Sequence, residues 1–134
     1  MQSVALNHPA IIVAALLSFV LGGLWYGPLF GKLWMREVGL TPEQAGQMNA
    51  KKVFGLSFLW TLVMAYNLAF FLGDPSIGVG MAIAYGFATG FGWIAMGIFV
   101  VGLFERRSGL LMAINGAFMT ISLTMMGAII GAWR

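Results

Sequence analysis

The chain has 134 residues, of which 60% are hydrophobic and 8% are charged, whereas soluble domains average roughly 25% charged residues. So few charges could not cover a surface in water, and the composition therefore excludes a soluble globular domain. The absence of cysteine excludes disulfides, thiol nucleophiles and thiolate metal sites. A net charge of +3, divided between two sides of a membrane, does not indicate a nucleic-acid partner.

Four apolar runs predict an all-α, polytopic membrane bundle, because each run is long enough to cross a bilayer: residues 9–26, 53–72, 77–104 and 110–133. We expect one transmembrane domain over residues 1–134. The first run is predicted to be a retained span, because no basic segment precedes it and no cleavage pattern follows it. Gly27-Pro28 is expected to end that span, since proline cannot continue the helical hydrogen-bond ladder.

The connection over residues 27–52 is predicted to carry a short helix in the membrane interface, from Leu29 to Val38. Its aromatic and basic residues lie on different sides, as in helices that rest among lipid headgroups. The expected interfacial anchors are Trp25, Tyr26, Lys32, Trp34 and Arg36. An ordered loop without lipid contact is the alternative. A further helix is predicted to begin at the Thr41 capping box and to continue into the second span.

Basic residues predict the orientation. The 27–52 connection holds four of them and the 105–109 turn holds two, whereas the opposite side has only Arg134. Because cytoplasmic loops carry an excess of lysine and arginine, these two connections are expected in the cytoplasm. The chain is thus predicted to be a multi-pass protein of the cell (inner) membrane with both termini outside the cytoplasm.

Small residues recur along the fourth span at helical intervals. Helices in a bilayer pair through close backbone approach, which favours such residues, so this stripe is a predicted helix-packing seam. The opposing stripe, which includes Leu111, Phe118 and Met125, is expected to face lipid or a looser contact. A polar pathway or a contact with another subunit is the alternative for the seam, whose members are Gly109, Ala113, Gly116, Thr120, Thr124, Gly127 and Gly131.

Asn67 and Asn115 are the deepest polar side chains. Judged by depth along their helices, Asn67 is expected to meet Thr124 and Asn115 to meet Ser57. These amides are predicted to bridge helices, and a lining for water or a polar ligand is the alternative. No Asp, Glu, Lys or Arg falls within a predicted span, which argues against a carboxylate-coupled exporter.

The sequence offers no candidate for catalysis. His8 is the single histidine, and with Asp74 it supplies too few ligands for a catalytic zinc, which usually has three. The segment Gly90–Ala95 matches a G-x-G-x-x-A dinucleotide pattern, but it lies within an apolar run with no strand before it, so the match is interpreted as accidental. No catalytic residue, cofactor or metal site is predicted.

Two stretches carry a family resemblance. The segment VAALLSFVLGGLWYGPLFGKLWMREVGLT and the segment LFERRSGLLMAINGAFMTISLTMMGAIIGAW resemble domain-of-unknown-function family 1761, a group of small four-span bacterial membrane proteins. The resemblance implies four spans and a membrane location, and it supplies no activity. Members often have a Tyr-His pair after the asparagine, where this chain has Phe118 and Met119.

Together these features predict a non-enzymatic membrane bundle that acts through association. Besides the lipid bilayer, the expected partner is a second copy of the chain or another membrane protein. The alternative is an oligomeric channel or facilitator for a small neutral or lipophilic solute, whose path would be lined by Asn67, Asn115, Thr120, Ser122 and Thr124.

Overall fold

The computed structural model describes residues 6–134, and within this range the chain is helical and contains no strand. Four helices are long and apolar enough to cross a membrane: span one is His8–Leu29, span two Ala50–Phe71, span three Val79–Phe104 and span four Gly109–Ala132. The predicted all-α membrane bundle is therefore confirmed. The expected position of the N-terminus concerns residues that lie outside the described range.

Span one does not end at Tyr26, as the proline suggested, but continues as a π-helical turn over Trp25–Leu29. The Phe30 N–H donates to the carbonyl of Trp25 at 2.8 Å, which is the five-residue step of a π-helix. Pro28 lies inside this wider turn, where its missing N–H and bulky ring are accommodated by the change of hydrogen-bond pattern.

The connection to span two contains two separate helices. The loop helix, Gly31–Val38, ends at Gly39 in the left-handed conformation (φ 85°), which glycine adopts without strain. The predicted capping box at Thr41 is present, and a short helix follows it over Pro42–Gly46. The expectation that it continues into span two is wrong, because Asn49 caps a new helix by accepting a hydrogen bond from the Lys52 N–H at 3.2 Å.

Span four is the centre of the fold. In its most apolar stretch 39% of the residues are buried, whereas the corresponding share is 17% in spans two and three. Span three packs on one side of span four and span one on another, while span two packs mainly on span one. Among the described residues, spans two and three make no substantial contact with each other, so the helices form an open row in the order two, one, four, three.

The core fills one half of this row. Its buried residues come from the beginning of span one and from the ends of spans two and four, which places the core toward the 72–78 turn and the C-terminus. We call this half the terminal side. Arg134 closes it by donating to the carbonyls of Leu72 and Ile77, at 2.7 and 2.6 Å. In the other half, the loop side, the helices separate and leave two clefts.

Candidate functional site

The two clefts lie on the loop side, where the chain leaves span one. Each has a volume of about 670 Å³. The first, the loop cleft, lies between the loop helix and spans three and four, with Trp34, Arg107 and Asn115 in its wall. The second, the lateral groove, lies between spans one, two and four, with Tyr26 in its wall.

Two side chains at the end of span one join it to span four. The Trp25 indole N–H donates to the carbonyl of Ile114 at 3.0 Å, and the Tyr26 hydroxyl donates to Asn115 Oδ1 at 2.7 Å. Asn115 therefore bridges helices, but its partner is Tyr26 and not the expected Ser57. Trp25 and Tyr26 were predicted to be interfacial anchors, but their polar groups are directed toward span four. A polar group in an apolar bundle is stabilised by a hydrogen-bond partner in the protein.

An aromatic cluster surrounds these contacts of Trp25 and Tyr26 with span four. The ring of Tyr26 packs edge-on against Phe118 and Trp34, with centroid distances of 5.3 and 5.7 Å. A β-carbon at Gly31 would lie 2.6 Å from the Tyr26 carbonyl oxygen, so a residue without a side chain is required where the loop helix begins. Phe118, expected to face lipid or a looser contact, is half-buried, and its ring contacts Trp25 and Tyr26.

The loop helix is also tied to the turn between spans three and four. Ser108 donates from its hydroxyl to Glu37 Oε1 at 2.6 Å, and the same hydroxyl accepts from the Leu111 N–H at the start of span four. This hydroxyl holds the pKa of Glu37 below the ordinary value for glutamate. Of the predicted anchors on the loop helix, Trp34 is half-buried, whereas Lys32 and Arg36 are exposed.

The seam of span four faces span three over most of its length. A β-carbon at Gly90 would lie 2.9 Å from the Met119 carbonyl oxygen and from the Thr120 Cα, and one at Gly86 would collide with the Leu123 carbonyl. A β-carbon at Gly127 would likewise collide with the carbonyl of Ala82. The buried or half-buried seam members are Gly116, Thr120, Thr124, Gly127 and Gly131.

The seam does not extend to the loop-side end of span four. Gly109 and Ala113 are exposed, and a β-carbon at Gly109 would meet no atom within 4 Å. Leu111 is buried, which corrects its expected position toward lipid. The loop helix and the exit of span one cover a different side of span four there, so the direction of burial rotates along the helix.

Three further intramembrane polar side chains donate to carbonyls of their own helices. Asn67 is exposed and donates to the carbonyl of Val63 in its own helix at 3.0 Å, so the expected contact with Thr124 is not formed. The hydroxyls of Thr120 and Thr124 donate to carbonyls one turn earlier, at 2.8 and 2.6 Å.

Two polar contacts between spans were not predicted. The Ser18 and Ser122 hydroxyls bond to each other in the buried contact between spans one and four. His8 and the Tyr66 hydroxyl are 2.9 Å apart on the terminal side. Small residues recur in span one at Ala15, Ser18 and Gly22, and this spacing was the one signal in the sequence for the serine pair.

Within residues 6–134 no group of three His, Cys, Asp or Glu side chains is arranged to hold a metal ion. The Gly90–Ala95 segment is a π-helical turn in the middle of span three, with helix on both sides. It therefore does not form the strand-to-helix loop that binds a dinucleotide phosphate.

Comparison with known families gives one match. The model of the family described as "Protein of unknown function (DUF1761)" matches residues 9–131, and the chain belongs to this family. The resemblance identified from the sequence is thereby confirmed. No curated protein and no solved structure matches the chain.

Proposed function

We propose that this member of the DUF1761 family is a non-enzymatic membrane protein that acts by self-association, with two copies meeting along the outward face of span three. The observation that carries the proposal is a second stripe of small residues on that span, which the rest of the described chain leaves exposed. We call it the outward stripe, and its members are Gly80, Ala84, Ala88 and Gly92.

The outward stripe has the spacing that supports close helix pairing in a bilayer. Its members recur every four residues, and small residues at this interval let two backbones approach. A β-carbon at Gly80 or Gly92 would meet nothing within 4 Å in the described chain. The rings of Phe87 and Phe91 stack beside the stripe, 5.6 Å apart and 8° from parallel, and supply a fixed bulky ridge for a partner helix.

Association cannot use the seam of span four, because that seam is occupied within the chain. Ala82, Gly86 and Gly90 on the inner face of span three already contact it. Span three thus has small residues on two faces, of which one is covered by span four. Since packing within one chain needs only the inner face, the outward stripe remains for a second copy.

The alternative function, a channel or facilitator for a small neutral or lipophilic solute, has less support. A polar path needs side chains that are free to bind the solute. The hydroxyls of Thr120 and Thr124 are instead bonded to their own helix, and Ser122 is bonded to Ser18. Asn67 lies on the exposed side of span two, away from the other four residues of the expected path.

Substitution of the outward stripe tests the proposal. We expect the wild-type protein in a mild detergent to have the mass of a dimer by light scattering. The Ala84→Leu/Ala88→Leu variant is expected to have the mass of a monomer with an unchanged melting temperature, because its new side chains point away from span four. Ala117→Leu, at an exposed position of span four, is the control and should remain dimeric. A monomeric wild type, or a dimeric double variant, would overturn the proposal.

A further inference from the structure

The lateral groove is an apolar recess that opens between spans one, two and four on the loop side. Its volume of about 670 Å³ falls within the range of roughly 300–1,000 Å³ that is typical of small-molecule sites. Aromatic rings from spans one, two and four form the sides of the opening. The residues that define the groove are Phe19, Gly23, Phe54, Trp60, Phe118 and Met119.

Three polar side chains of the groove wall are bonded to the protein. The Tyr26 hydroxyl donates to Asn115, Ser18 is paired with Ser122, and the Thr61 hydroxyl donates to the carbonyl of Ser57 at 2.7 Å. A buried water needs two to four polar partners, and these bonds leave few of them. The groove therefore favours an apolar occupant over a column of water.

The loop-side end of the groove is positively charged. Lys51 and Lys52 lie in the first turn of span two and are exposed. Lys51 is three residues before Phe54, so the two lie on the same side of the helix. The acidic residue of the loop helix, Glu37, is engaged by Ser108 and Arg36 and is not paired with either lysine. Lys52, two residues before Phe54, projects to the opposite side of the helix. Apolar walls below the cation of Lys51 match the shape and charge of an anionic amphiphile.

We propose that the lateral groove binds an anionic phospholipid, with an acyl chain between spans one and two and the phosphate at Lys51. A helix of a second copy is a poorer fit, since ten helical residues occupy on the order of 1,000 Å³, which exceeds the volume of the groove. The attraction of Lys51 to an anionic headgroup gives roughly a fivefold preference over a zwitterionic lipid.

Photo-crosslinking in bilayers of defined composition tests this site. The full chain is placed in phosphatidylcholine nanodiscs that contain a small fraction of phosphatidylglycerol with a diazirine in the middle of its acyl chain. A parallel sample carries the same label on phosphatidylcholine. After irradiation, mass spectrometry of peptides locates the labelled residues. We expect label on residues 19–27 and 54–64, about fivefold more from phosphatidylglycerol than from phosphatidylcholine.

Two glycine variants separate filling of the groove from a general effect of leucine. A β-carbon at Gly23 would meet nothing within 4 Å, so Gly23→Leu should fill the groove without a clash. It is expected to lower labelling of both segments at least fivefold. Gly55→Leu lies on span two outside the groove, at an equally open position, and should leave labelling unchanged.

The charge is tested separately with Lys51→Gln, in which labelling should persist but become equal for the two lipids. Equal labelling by both lipids in the wild type would overturn the proposal, as would a Gly23→Leu variant that labels normally. If Gly23→Leu also changes the mass of the particle, the groove holds a helix of a second copy and the lipid proposal is wrong. If that variant fails to fold, the lysine variant decides.

Discussion

Individual glycines set the distance between spans three and four. At Gly86 and Gly127 the backbone of the facing helix occupies the place of a β-carbon, so these two positions accept no side chain without movement of a helix. The four-residue spacing of small residues indicated such a contact, because that pattern is how helices pair in lipid. Which helix faces the seam could not be read from spacing alone, since spans one and two carry small residues as well.

Gly127→Leu is expected to destabilise the fold by roughly 1–3 kcal/mol or more, because overpacking forces two backbones apart. The matched control is Gly55→Leu, whose added side chain enters open space. Both variants gain the same leucine, which controls for hydrophobicity. Melting temperatures in a mild detergent should fall for the first and not for the second. Equal melting temperatures of the two variants would contradict the close contact between spans three and four.

The hydrogen bond between Ser18 and Ser122, which joins spans one and four, allows a second test at the scale of single residues. Ser18→Ala should leave the Ser122 hydroxyl buried without its partner, at a cost of roughly 1–3 kcal/mol. Ser18→Ala/Ser122→Ala should recover part of this loss. A double-mutant cycle in a denaturing detergent titration is expected to give a coupling of about 0.6–2 kcal/mol. Additive effects of the two single changes would contradict the hydrogen bond.

At the scale of elements, the sequence predicted the helices better than their ends. The apolar runs indicated four spans because lipid demands about 20 apolar residues for each crossing. Pro28 suggested a stop, but the π-helical turn carries span one to Leu29. The capping box at Thr41 was recognised, whereas the break before Asn49 was missed because Gln47 and Asn49 fit a polar first turn as well as a loop.

The contacts of the candidate site were harder to predict, since they join residues that are distant in sequence. Trp25 and Tyr26 have the aromatic character of interfacial anchors, and nothing local indicates that they bond to Ile114 and Asn115, about 90 residues away. The interfacial position of the loop helix stays a prediction, supported by the exposure of Lys32 and Arg36.

The stability that the Glu37–Ser108 hydrogen bond gives to the fold should depend on pH. The Ser108 hydroxyl lowers the pKa of Glu37 in the folded protein. The carboxylate therefore stabilises the fold above the ordinary glutamate pKa of about 4.3, and this contribution is lost as the pH falls through the lower folded value. Glu37→Gln should melt below the wild type at pH 7, and the difference should shrink as the pH falls below the ordinary glutamate pKa. A difference that is constant from pH 7 to pH 3 would exclude this role of Glu37.

For the whole molecule, the charges predict the orientation in the membrane. The hydrogen bond between Glu37 and Ser108 places the two basic connections on the same side of the bundle. We expect that side to be cytoplasmic. Single cysteines can be introduced without background, because the chain has none. In intact cells an impermeant thiol reagent should label Pro75→Cys and not Gln47→Cys. The opposite result would reverse the orientation.

Self-association along the outward stripe is tested most directly by a disulfide between two copies in native membranes. Cysteines form a disulfide when their Cα atoms are within about 7 Å, which close packing along the stripe permits. Mild oxidation of Ala84→Cys should convert a large share of the protein into a covalent dimer, whereas Ala117→Cys, on the exposed side of span four, should remain monomeric. Equal yields from the two variants, or no dimer from Ala84→Cys, would contradict self-association through span three.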